Sequence, residues 1–239
     1  MGDNNYYVYC ISYNTIDDEI QIMGHRDQLV FRLVYQELTA YVSNITLTYV
    51  EANYENLQCH ENVISQLMKK IDVLPMSFST IYKSKESIIL TLQKYYDQFI
   101  RNLEDIAGKV ELGIKVFYKL DFDEEDKEDK ELLIKPKEYM LKRYERYRSR
   151  QKKVDDILYG IEEQHQVLAD IAVNNCFKKP MKNNLIFNAS YLVIADKEKE
   201  FETAVNEMKK NYPSYKIIYS GPWPAYHFVN LVREGEENE

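Results

Sequence analysis

Residues Glu111 to Leu120 alternate with a strict two-residue period. Leu112, Ile114, Val116, Tyr118 and Leu120 fall on one face, and Gly113, Lys115, Phe117 and Lys119 on the other. Successive side chains of a strand point to opposite faces, so the pattern demands a sheet with one apolar face turned to a core. The flanking sequence must then supply partner strands and a covering layer of helix.

Downstream, an acidic run from Asp121 to Glu131 carries eight carboxylates and two lysines. Asp121, Asp123 and Glu125 have the look of a calcium loop. Asp126 stands where that loop needs glycine, however, and Leu132 where it needs the closing glutamate, so the run reads as a solvated loop. Pro136 can open a helix at its first turn. From there Met140, Tyr144, Tyr147, Gln151, Val154, Leu158, Ile161, His165, Leu168 and Ala172 recur at steps of four and three, the seam of long antiparallel helices. A short strand is expected within Cys176–Lys182, with a turn at Asn183-Asn184. Leu185 to Ile194 is apolar on both faces and reads as a central strand. Asp196 then caps a helix with Phe201, Ala204, Val205 and Met208 on one face, stopped by Pro213, and Tyr215 to Ser220 makes a last strand.

The first half reads as a separate unit. Tyr6 to Tyr13 (YYVYCISY) is a strand, and Gln21 to Met23 a short one. Between Leu29 and Val50 the strands are expected at Ala40–Ser43 and Ile45–Val50, with a short helix around Leu29–Tyr35 as the alternative. Tyr54 to Ile71 is helical, with Val63, Ile64, Leu67 and Ile71 on one face. Ser84 caps a further helix whose stripe is Ile88, Leu92, Tyr95, Phe99, Leu103 and Ile106, closed by Gly108. The fold class is therefore α+β with two domains. Residues 1–108 form an N-terminal α+β domain. Residues 109–232 form a ferredoxin-like (βαββαβ) domain with a long helical insertion at about 136–172, and 233–239 are a disordered acidic tail.

The net charge of −8 and pI near 5.2 argue against a general affinity for nucleic acid or anionic membrane. Lys135 to Lys153 is the local exception, with nine basic and two acidic residues interleaved with tyrosines. It supports an alternative reading as a nucleic-acid or small-ligand binding module. Cys10, Cys59 and Cys176 lie far apart and read as reduced thiols of an intracellular protein. The four histidines share no metal-ligand spacing. No phosphate loop, HExxH or nucleophile elbow is present, so no catalytic residue, cofactor or metal is expected. The N-terminus lacks the pattern of a signal peptide, and no run reaches the roughly eighteen apolar residues of a membrane span.

Near the end, Gly221-Pro222-Trp223-Pro224-Ala225-Tyr226-His227-Phe228 holds the chain's only tryptophan between two prolines. Two fixed φ angles and two missing donors bar helix and central strand from Pro222 to Pro224. The corner either staples the C-terminus onto the protein's own core or presents Trp223, Tyr226 and Phe228 to a partner.

GPWPAYHFV, with Asn188 to Val193 before it, resembles the GPWPPYxFV corner of the GvpF/GvpL family of gas vesicle proteins. LPMSFSTIY (Leu74 to Tyr82) is similar to that family's LPxRFGT stretch, Gly108 to Val116 to its G-x-x-E strand entry, and YYVYCI to its aromatic first strand. Ser77 and Ser79 stand where arginine and glycine are usual, and Ala225 replaces a proline. The resemblance implies a non-enzymatic, cytoplasmic or vesicle-associated protein required for gas vesicle assembly. Its implied partners are the hydrophobic shell protein and other accessory proteins. The surface expected to meet them comprises Tyr6, Tyr7, Tyr9 and Phe78 of the tyrosine-rich N-terminal sheet, and secondly the corner itself.

Overall fold

The structure is a computed structural model that describes residues 5–13, 21–118, 140–141, 143–145, 148, 160, 162–178 and 185–230. Its aromatic and β-branched runs form two antiparallel sheets in a mixed α+β fold. In the first sheet, β1 (Asn5–Tyr13), β2 (Phe31–Tyr35), β3 (Leu38–Ile45) and β4 (Val73–Pro75) lie in the order β2-β3-β1-β4, and β5 (Ile81–Tyr82) also pairs with β1. The β1–β3 register slips between Val8 and Cys10, which makes Tyr9 the extra residue of a bulge. Residues 31–35 are thus strand rather than the alternative helix, while 46–50 leave the sheet and Met23 makes only an isolated bridge with Leu29.

Helix α1 (Tyr54–Met68) starts where the Asn53 side chain accepts the Asn56 amide, and buries His60, Val63, Ile64 and Leu67. The helix expected after Ser84 is two helices, α2 (Lys85–Lys94) and α3 (Tyr96–Ile106), separated at Tyr95 with φ −109° and ψ 21°. Ser84 and Ser87 cap α2 reciprocally. The break lets α2 lie on β2 while α3 lies on β1, β3 and β4, so each half follows its own part of a twisted sheet. The predicted stripe survives the break, for Ile88, Leu92, Phe99, Leu103 and Ile106 are all buried.

The second sheet contains β6 (Lys109–Tyr118), β7 (Asn174–Phe177), β8 (Leu185–Ile194) and β9 (Tyr215–Trp223), in the order β7-β8-β6-β9. Its alternation holds, with Leu112, Ile114 and Val116 buried and Lys115 exposed. Helix α4 (Glu198–Asn211) covers it with Phe201, Val205 and Met208. Phe201 lies 5.1 Å from the Tyr191 ring. Asp196 is not the cap of α4: it sits in a short 3-10 turn, and the helix begins at Glu198 with no side-chain cap. Strand β9 also runs further than expected, through Pro222 to Trp223. It is an edge strand, the place in a sheet that tolerates proline.

Residues 162–171 are helical, Leu168 is buried, and His165 Nδ1 bonds the Tyr191 hydroxyl at 2.8 Å. Met140 and Tyr144, from the other end of the expected seam, are exposed. The seam positions Tyr147, Gln151, Val154, Leu158 and Ile161, the acidic run Asp121–Glu131, most of the Lys135–Lys153 stripe and the tail 233–239 lie outside the described residues.

The chain forms two compact units, Met1–Glu111 with Pro222–Glu239, and Leu112–Gly221. The domain division expected from the sequence kept the C-terminal corner with the second sheet. In the structure the corner from Pro222 onward falls in the first unit, where Tyr226 and His227 find their partners.

Candidate functional site

The first unit brings together residues from all four family-like motifs. Tyr7 and Tyr9 come from β1, Phe78 and Ser79 from the stretch after β4, Glu111 from the start of β6, and Tyr226 and His227 from the corner. Tyr7, Tyr9, Cys10, Val30, Tyr41, Val63, Ile64 and Leu67 form one buried cluster, against which Phe78 and Tyr226 pack. Five rings make its centre, those of Tyr7, Tyr9, His25, His60 and Phe78. Tyr7 lies 4.7 Å from Tyr9 and 4.4 Å from His25, and His60 stands edge-on to Phe78 at 5.7 Å.

Each phenol in this nest has a defined partner. The Tyr7 oxygen accepts the Ser79 amide at 2.9 Å and shares a 2.9 Å bond with His60 Nδ1. The Tyr9 oxygen accepts the His25 amide at 2.8 Å and bonds Ser43 Oγ at 2.9 Å. Gly24 makes room for the second contact, since a Cβ there would lie 2.1 Å from the Tyr9 hydroxyl oxygen. The Tyr7–His60 bond is made in either direction according to which tautomer the imidazole adopts. Burial, with the neighbouring His25, favours the neutral imidazole and pushes His60 down to about 4. Burial also lowers His25 and raises Tyr7, while it pushes Tyr9 up to about 12.

Tyr7 and Tyr9 therefore cannot serve as the partner surface expected of them. Both are fully buried, because β1 is an interior strand with α1 and α3 packed against it. Tyr6 is half-buried and edge-on to Phe31, and Phe78 is half-buried against the nest.

The corner closes on the same unit. The Tyr226 hydroxyl donates to a Glu61 carboxylate oxygen at 3.2 Å. Glu111, only 4% exposed, accepts the His227 amide at 3.0 Å on one oxygen and pairs with His227 Nδ1 on the other. Asn102 and Asn230 exchange two bonds, 2.8 and 3.1 Å, between the Asn102 amide group and the Asn230 backbone. Pro224 and Ala225 are buried, whereas Gly221, Pro222 and Trp223 are exposed and Phe228 is half-buried. Residues 224–230 thus staple the chain end, and Trp223, at 39% exposed, is not the anchor.

Sequence reasoning did not find His25, His60, Glu61, Asn102 or Glu111 as members of this assembly. Glu111 alone carried a signal, as the acidic residue of the G-x-x-E entry. Ser79 has φ 63°, the left-handed region that glycine occupies freely, which accounts for glycine as the usual residue of that motif. Here the serine hydroxyl gains a function in return by accepting the Val50 amide at 2.9 Å. Among the described residues no group of three His, Cys, Asp or Glu side chains could hold a metal ion, and no helix is long and apolar enough to cross a membrane.

Two crystal structures share this arrangement of sheets and helices. GvpF from Anabaena sp. PCC7120 superposes with a TM-score of 0.81 at 21% identity, over 98% of this chain and 100% of that one. GvpF from Microcystis aeruginosa does so with a TM-score of 0.76 at 21% identity, over 95% and 99%. The fold is that of gas vesicle proteins. At the level of sequence, gas vesicle protein F1 of Halobacterium salinarum is 27% identical over 100% of this chain and 99% of its own length. Gas vesicle protein F of Haloferax mediterranei is 26% identical over 97% and 95%. The family model described as gas vesicle synthesis protein GvpL/GvpF matches residues 5–230, and the chain belongs to that family.

Proposed function

We propose that this protein is a non-enzymatic gas vesicle assembly factor and minor vesicle component. It acts in the cytoplasm and at the vesicle, where it binds the hydrophobic shell protein and other accessory proteins during vesicle formation. The observation that carries the reading is the family match across residues 5–230. The first unit offers exposed apolar side chains for such contacts, among them Tyr49 at 64% and Tyr54 at 77% exposed. Large apolar groups left in water mark contact surfaces when they cluster.

The second unit is proposed to be a ferredoxin-like domain. Counted within the unit, its strands lie in the order 2-3-1-4, with helical residues 162–171 before the second and α4 before the fourth. That order suits two βαβ halves interleaved in one antiparallel sheet.

Deletion of the gene, together with co-expression of this chain and the shell protein followed by affinity capture, tests the function. Loss of vesicles on deletion and capture of a complex are the expected results. Normal vesicles without this protein, and no complex, would overturn it.

A further inference from the structure

The last described residues form a strap, and every residue that seats it belongs to the continuous stretch Met1–Glu111. Tyr226 bonds Glu61 on α1, His227 bonds Glu111 through both its amide and its ring, and Asn230 pairs with Asn102 on α3. Glu111 and Asn102 are buried. Without the strap Glu111 loses the amide and the imidazole together, and Asn102 loses the Asn230 backbone. A seat of this kind favours an occupant that returns the same donors and acceptor at the same spacing.

The strap itself lies shallow. Pro224 and Ala225 are buried, Tyr226, Phe228 and Val229 are half-buried, and His227 and Asn230 are exposed. It can leave its seat without parting the rings of the nest from one another. Its joint is Gly221, the residue at which the second unit ends and after which the first resumes. Gly221 has φ 122°, a conformation that residues with a Cβ rarely adopt. Pro222 beside it has its φ fixed by the ring, so the turn of the chain at this joint falls to Gly221.

We infer that the strap exchanges between two copies of this chain: residues 222–230 of each copy occupy the seat of the other, and the product is a reciprocal dimer. The occupant is a second copy because the strap is the sequence that fills the seat in the structure, and another copy presents it unchanged. Each exchanged strap makes the bonds it makes in the single chain, so the dimer gives up none of these contacts. Monomer and dimer then differ in the freedom lost on association and in the Gly221 joint. Exchange competes as the chain approaches the effective concentration of its own tethered strap, on the order of 1 mM. The joint matters because a strap that leaves for another copy no longer holds Gly221 at positive φ.

The full chain is followed by sedimentation velocity from about 10 µM to about 1 mM. Dimer is expected toward the upper end. Gly221→Ala, whose side chain disfavours the closed joint in both copies, is expected to raise the association constant about tenfold or more. Exchange is read directly by placing the photo-crosslinking residue p-benzoylphenylalanine at position 228 of a nitrogen-15-labelled chain and mixing it with unlabelled chain. Mass spectrometry of the covalent dimer should show labelled position 228 joined to unlabelled peptides that contain Glu61, Asn102 or Glu111. Absence of dimer at the highest concentration, or cross-links to those peptides that never mix isotopes, would overturn the exchange. So would a Gly221→Ala chain that is folded by circular dichroism and no more dimeric than the wild type. Mixed-isotope cross-links that fall only elsewhere would mean association through another surface and also overturn it. Should Gly221→Ala fail to fold, the cross-links in the chain that keeps Gly221 still decide.

Discussion

Acidification should loosen the first unit through His60. The imidazole goes from an ordinary value of 6.5 in the unfolded chain to about 4 in the folded one, mainly by burial and secondly by His25. Between those values the unfolded state binds the extra proton, so stability is complete above pH 6.5 and falls as pH drops toward 4. Linkage over that interval gives a loss of about 2 kcal/mol by pH 5 and about 3 kcal/mol by pH 4. Glu61, raised by burial, works in the opposite direction over the acid range, and His25, lowered by burial, works in the same direction. Comparison with His60→Gln separates the His60 contribution from both. Because the chain has two compact units, a single unfolding midpoint would mix them. Hydrogen exchange read in peptides from β1 and α1 reports the first unit directly. The wild type should lose protection between pH 7 and 4.5, after correction for intrinsic exchange, more steeply than His60→Gln. Parallel losses in the two proteins would refute the assignment.

Two further substitutions test the corner and the Ser79 turn. Tyr226→Ala, which removes a ring packed on the nest and the bond to Glu61, should destabilise the first unit by about 2–4 kcal/mol, against less than about 1 kcal/mol for Trp223→Ala; equal losses in thermal melts would contradict the staple described here. Ser79→Ala keeps the positive φ and strands the Val50 amide, so it should cost about 1–3 kcal/mol, whereas Ser79→Gly relieves the backbone and should cost less; urea titration that ranks glycine below alanine would sink the argument.

Periodicity carried the element reading far. The alternation in β6 and the two-faced apolar run of β8 became the strands expected of them, and the stripe expected of one helix is carried by two, α2 and α3. What periodicity could not supply was the third dimension of β1. Its tyrosines look like a surface in one dimension, and only the strand order, with β3 and β4 on either side, shows that they must be interior. The bulge at Tyr9 left no sequence signal, and neither did the partners His25 and His60, which approach from a turn and a helix distant in the chain. The corner was recognisable from its prolines and tryptophan. Its anchoring residues are instead Tyr226, His227 and Asn230, whose partners Glu61, Glu111 and Asn102 lie far away in sequence. The His227 amide contact is independent of the side chain at that position, which agrees with a variable residue there in the family-like pattern.

The first compact unit is built from the two ends of the described chain, with Leu112–Gly221 inserted between them. During synthesis the ribosome makes β1 to α3 early, yet Glu111 and Asn102 wait for His227 and Asn230, among the last described residues to emerge. Glu111 is nearly inaccessible in the finished protein, and until then it stands without the groups that satisfy it. The half that begins first is thus completed last. A chain cut short after Gly221 would carry its defect more than a hundred residues before the cut, at Glu61, Asn102 and Glu111.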